Sequence, residues 1–142
     1  MALTPEDVDH LHDSIKKLLE AWMRIKLIFQ KAFGEGEITP EHENAYLQLK
    51  SEVSRLYRLI SDRLPRGLAI DGDKMMEMLK NAMTMEHLSN QSAAERQVYY
   101  ATWHRIYLKI TRALGALEVM KSGYYPHMHR DRLKSKEPAK KK

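Results

Sequence analysis

The chain contains no cysteine among its 142 residues. That absence removes a disulfide framework, a thiolate metal site and a cysteine nucleophile together, and it fits a reducing compartment. Nor does any apolar run approach the roughly 20 residues that a membrane span requires. Met1 to Glu6 leads straight into an acidic, polar segment. It has neither the basic start nor the apolar stretch of a signal peptide. A cytoplasmic location, away from any membrane, is therefore expected. Alternating apolar and polar residues, the mark of a half-buried strand, are also missing.

Catalytic and metal-binding motifs are scarce in the same way. A di-iron carboxylate site in a helical bundle needs Glu-x-x-His on two helices, and that motif does not occur. Asp7-x-x-His10 is the nearest approach, but beside His12 and Asp13 in a first helical turn its acid serves the helix dipole. Asp71-Gly72-Asp73 resembles the start of a calcium loop, yet Met76 stands where such a loop needs glycine. His127-Met128-His129 is a lone His-x-His pair near the end of the chain. The serines occupy caps, turns and helix interiors, without a nucleophile elbow or a glycine-rich phosphate loop. His104, next to Trp103, lies just off an apolar seam and is expected to be a partly buried structural histidine. No enzyme activity, metal or cofactor is expected.

What is present is ordinary globular composition, with 43% apolar and 30% charged residues, enough for one packed domain. The net charge of +5 looks like a nucleic-acid signal until it is located. Seven of the 24 basic residues, and two of the 19 acidic ones, lie between His127 and Lys142. The body before them carries 17 of each sign and is neutral. The basic set there is Arg130, Arg132, Lys134 and Lys136, with Lys140, Lys141 and Lys142. Having no apolar periodicity, this stretch is expected to be a disordered tail (residues 127–142) following a bundle domain (residues 1–126).

Periodicity and punctuation predict an up-and-down antiparallel four-helix bundle, all-α, with helices over about 5–33, 40–64, 74–88 and 93–122. Thr4-Pro5 opens the first helix. Val8, Leu11, Ile15, Leu18, Trp22, Ile25, Phe29 and Ala32 then recur at 3-4 spacing until Gly34. Thr39-Pro40 opens the second, whose seam is Tyr46, Leu49, Val53, Leu56 and Ile60, and Pro65 closes it. The third is expected to start at an Asp73 cap. Ser92 and Glu95 form a capping box for the fourth, with the seam Tyr99, Trp103, Ile106, Ile110, Ala113, Leu117 and Met120, ended by Gly123 and Pro126. At 1.5 Å per residue the third helix would be only about 22 Å long, against roughly 37–45 Å for the others. Part of the bundle would then have three walls, to be covered either by Leu68 and Ile70 of the connector or by a partner.

Three surfaces are candidates for function. The fourth helix carries a second stripe, Tyr100, Ala101, Tyr107, Leu108, Leu114 and Gly115, repeating every seven residues, and Met23 and Leu27 of the first helix also fall outside the seam. These eight residues are read as an interface for a second copy or a partner protein; the alternative is a broad bundle face. Arg105, Lys109 and Arg112, near Tyr107, form a basic set which, with the tail, would hold an anionic partner, either an acidic protein or nucleic acid; the alternatives are a solvated helix face, which the neutral body favours, and a tail that serves solubility. The third helix is rich in methionine, which is expected to fill gaps in the core, the alternative being an adaptable binding surface. The function expected from all this is a non-enzymatic interaction or assembly protein, homo-oligomeric or partnered. A nucleic-acid accessory subunit is the alternative, and a cofactor-binding or catalytic bundle a remoter one.

Overall fold

The computed structural model describes residues 3–122, so the basic stretch 127–142 and the stops at Gly123 and Pro126 lie outside the described residues. The described chain is all-α, with α1 (Pro5–Phe33), α2 (Pro40–Ser61), α3 (Gly72–Asn81), α4 (Met85–Ser89) and α5 (Ala93–Lys121), and a 3-10 turn at Arg66–Leu68. Each long helix begins where a side chain can satisfy amides that have no partner in the first turn. Thr4 Oγ1 accepts from the Asp7 amide at 3.0 Å while the Asp7 carboxylate accepts from the Thr4 amide at 3.1 Å. Ser92 and Glu95 repeat the exchange at α5. At α2 the reciprocal acceptor is an imidazole, His42 Nδ1, 3.0 Å from the Thr39 amide.

The seams predicted for the long helices form the core. All eight seam residues of α1 are buried, with Ala21 added. On α2 and α5 the same holds except at Leu49 and Tyr99, which are half-buried against the core. α1 packs on α2 and α5, and α3 bridges α2 and α5 on the far side. Side-chain pairings run in opposite directions along neighbours: His12 meets Glu118 while Phe33 meets Arg96, and Tyr46 meets Ala82 while Ser54 meets Met76. α1 and α5 therefore run antiparallel, and so do α2 and α3. At mid-height the Trp22 and Trp103 rings stack, with planes 3° apart and centroids 6.4 Å apart.

The third helix departs from expectation by being two helices. Ala82 leaves the helical region (φ −85°, ψ 67°), and Thr84 restarts the chain as the cap of α4, its hydroxyl accepting from the His87 amide at 2.9 Å. The break is stabilised from outside. Tyr46 Oη donates to the Ala82 carbonyl at 2.7 Å, and Lys50 Nζ donates to that of Met83 at 2.9 Å. Across the gap, the Glu43 carboxylate accepts from the Met85 and Glu86 amides at 2.8 and 3.0 Å. One face of α2 thus places a cation at the carbonyl end of α3 and an anion at the amide end of α4, each matching the local dipole. The turn lets α4 lean onto α1, where Met85 and Leu88 are fully buried.

Two boundaries also differ. α2 stops at Ser61 rather than 64: the Arg63 and Leu64 amides both turn back to the Ile60 carbonyl at 3.0 Å, and the helix is not carried on toward Pro65, which disfavours helical geometry in the residue before it. α3 starts at Gly72, with Asp71 at the cap position in left-handed geometry (φ 55°); Asp73 sits inside the first turn and caps nothing. Glycine at 72 makes room for the Tyr57 ring, which a Cβ there, 1.9 Å away, would displace. The connector covers this end as expected, Ile70 being buried and Leu68 half-buried against the core. At the opposite end the Arg96 guanidinium donates to the Phe33, Ser89 and Gln91 carbonyls at 3.1–3.2 Å. It ties the ends of α1 and α4 to the start of α5.

Candidate interaction surfaces

The second stripe of α5 divides along its length. Tyr100, Tyr107 and Leu114 stand on the edge beside α1 and are half-buried against the core. Tyr100 meets Phe33 edge-on at 5.5 Å, and Tyr107 stacks on Trp103 at 5.1 Å with planes 13° apart. These rings belong to the bundle. Ala101, Leu108 and Gly115 lie one helical position further out and are exposed, Leu108 by 47%. A Cβ added at Gly115 would meet nothing within 4 Å, so another backbone has room to approach there.

The two α1 residues assigned to the same interface part company. Met23, half exposed, follows Trp22 and so stands at the level of the Trp22–Trp103 pair. Leu27 instead lines a groove with Arg24 and Ile28 of α1 and Ala45 and Leu49 of α2, away from the α5 face. The seven-residue spacing of the stripe was legible in sequence; which edge of α5 would meet α1 was not, because that depends on where α1 packs.

Among the predicted anion-binding residues, Arg105 and Arg112 are exposed on α5. Lys109 is half-buried and pairs with Asp71 at 3.2 Å, so its charge is already met. The remaining members, Arg130 to Lys142, lie outside the described residues. His104 is exposed rather than partly buried, its ring stacking on Tyr107 at 6.1 Å. The methionines of the third segment fill the core at Met75, Met78 and Met85, with Met76 half-buried and only Met83 largely exposed. Among the described residues, no group of three or more His, Asp or Glu side chains converges as a metal site would require. No described helix is long and apolar enough to cross a membrane.

One charged feature had no counterpart in the sequence reading. A groove between α2 and α3 has Lys50, Arg55, Arg58 and Lys80 in its lining, and no carboxylate. Its cations come from two helices that are remote in sequence, and only the fold sets them side by side. No family model, curated protein or solved structure matches the chain.

Proposed function

We propose that this chain is a non-enzymatic interaction protein that docks on a partner protein through the outer face of α5, with Met23 of α1 at its edge. The observation that carries the reading is the exposed alignment of Ala101, Leu108 and Gly115 at seven-residue intervals. Two small residues flank one large apolar one, a pattern that lets a second helix approach closely and bury Leu108 between the two backbones. Arg105 and Arg112 border this strip. If two copies paired antiparallel about Leu108, Arg105 of one would face Arg112 of the other, and like charges across a contact are costly. A helix of a different protein, carrying acids at those positions, fits better. The basic stretch from Arg130 to Lys142 would add a second, salt-sensitive contact to the same anionic partner.

The test is site-specific photo-crosslinking from position 108 of the full chain in its native host, alongside a Leu108→Glu variant. Crosslinks should converge on one acidic protein, and Leu108→Glu should abolish its co-purification while helicity is unchanged. Tyr107, which stacks on Trp103, is left intact so that the fold is not disturbed. Retention of the partner by Leu108→Glu would refute the assignment. Sedimentation showing a dimer that Leu108→Glu dissociates would replace the partner with a second copy. Salt-sensitive recovery of RNA or DNA instead of protein would move the assignment to a nucleic-acid accessory role, although Lys109 is already paired within the bundle.

A further inference from the structure

We infer that the groove between α2 and α3 is a second docking site, one that takes an acidic amphipathic segment of a partner protein. This goes beyond the α5 reading and does not rest on it. The groove has a volume of about 540 Å³. Its apolar surface comes from Leu47, 61% exposed, the half-buried Met76, and Leu79 beneath them. Its rims are cationic: Arg58 stands on the α2 side and Lys80 on the α3 side. The chain up to residue 126 has as many acids as bases, so a lining with four cations and no carboxylate marks a segregation of charge.

The partners of these cations decide what the groove can accept. Arg55 is held by Glu52 at 2.9 Å, and Lys50 is turned toward the carbonyls of Leu79, Ala82 and Met83. Among the described residues no carboxylate lies within 4.0 Å of Arg58 or Lys80. Both are free to receive one. Burial holds the Lys50 ammonium below the ordinary lysine value. A carboxylate arriving in the groove would therefore also favour its charged form.

The apolar floor separates an acidic peptide from a nucleic acid. Strand binding uses aromatic rings on which bases stack, and no aromatic residue lines this groove. Leucine and a flexible thioether with Arg58 on one side and Lys80 on the other instead match a helix with leucines on one face and glutamates along its flanks.

The full chain can be titrated against three fluorescein-labelled probes. These are a synthetic helix with leucines on one face and glutamates beside them, the same helix with lysines for glutamates, and an oligothymidylate strand. The glutamate helix should bind with an affinity that falls as salt rises, and the lysine helix should not bind. Arg58→Glu combined with Lys80→Glu should weaken binding by at least roughly tenfold, since like charges then face each other. Both residues are exposed, so circular dichroism should be unchanged. Leu47→Ser should weaken binding severalfold with the same salt dependence, a result that contact with the basic C-terminal stretch alone would not produce. Leu108→Glu should leave it untouched. The inference is overturned if the intact chain does not bind the glutamate helix at low salt, or if either groove variant binds as well as the parent. Competition by oligothymidylate that depends on Arg58 and Lys80 would make the groove a nucleic-acid site instead.

Discussion

Trp22 and Trp103 each donate an indole N–H to the other's main-chain carbonyl, at 3.1 Å from Trp22 and 2.7 Å from Trp103. Both residues lie inside long helices, so each carbonyl accepts an indole proton as well as its helical amide. A buried indole N–H without a partner costs about 1–3 kcal/mol. The pair meets that need without a third residue and fixes the height of α1 against α5. Lys26 sits over the Trp103 ring at 4.9 Å, adding a cation to the same stack.

Each single substitution, Trp22→Phe or Trp103→Phe, should therefore destabilise the protein by roughly 1–3 kcal/mol, through lost ring volume and one lost hydrogen bond. The double substitution should depart from the sum of the two by more than about 0.5 kcal/mol, because the residues share a stack. Urea unfolding of the four proteins measures this. Strict additivity would mean that the reciprocal bonds do not act as a unit.

The break between α3 and α4 makes a second prediction. Glu43 supplies the capping acceptor for the Met85 and Glu86 amides, so Glu43→Ala should cost about 0.5–2 kcal/mol, the range for a lost helix cap. Lys50→Met keeps the aliphatic stem but removes the donor to the Met83 carbonyl, and it should act at the same place. Hydrogen exchange at Met85 and Glu86 should accelerate in Glu43→Ala relative to amides in the middle of α1. Uniform acceleration throughout would show that the junction is not a local unit of stability.

Acid should weaken the two capping boxes whose reciprocal acceptor is a carboxylate. The Asp7 and Glu95 carboxyls lie below the ordinary carboxylate range, chiefly because the Thr4 and Ser92 backbone amides donate to them and secondarily through the cap hydroxyls. A lowered folded-state value means that each carboxylate adds stability at pH values above the ordinary range. That contribution is lost as pH falls through the folded value. Compared with an Asp7→Asn, Glu95→Gln variant, the parent should be more stable above about pH 5, and the gap should close as pH falls from there through the folded-state values. A constant gap across that window, measured by urea midpoints, would rule out the carboxylate charges as its source.

Recognition of the long helices needed only neighbours in sequence. Ser92 and Glu95 are three residues apart, and so are Thr4 and Asp7; such pairs satisfy each other's backbone amides wherever the helix goes. The buried positions of α1 follow from spacing in the same way, since any partner helix must meet the same stripe. His104 shows where this stops: its place beside the seam suggested partial burial, but its ring stacks on Tyr107, which itself stacks on Trp103, and stays exposed.

The sequence by itself therefore determined the helical class, the starts of the three long helices and nearly all of their buried seams, because capping and periodicity act over a few residues. The tertiary structure alone decided that the third segment breaks at Ala82, that Tyr107 belongs to the core while Leu108 faces outward, and that Arg58 lies across a groove from Lys80. Each of these depends on side chains that are distant in sequence: α2 holding the break, α1 choosing an edge of α5, and α3 settling beside α2. Local rules leave the approach of one helix to another undetermined, and that approach sets which apolar and charged groups remain at the surface.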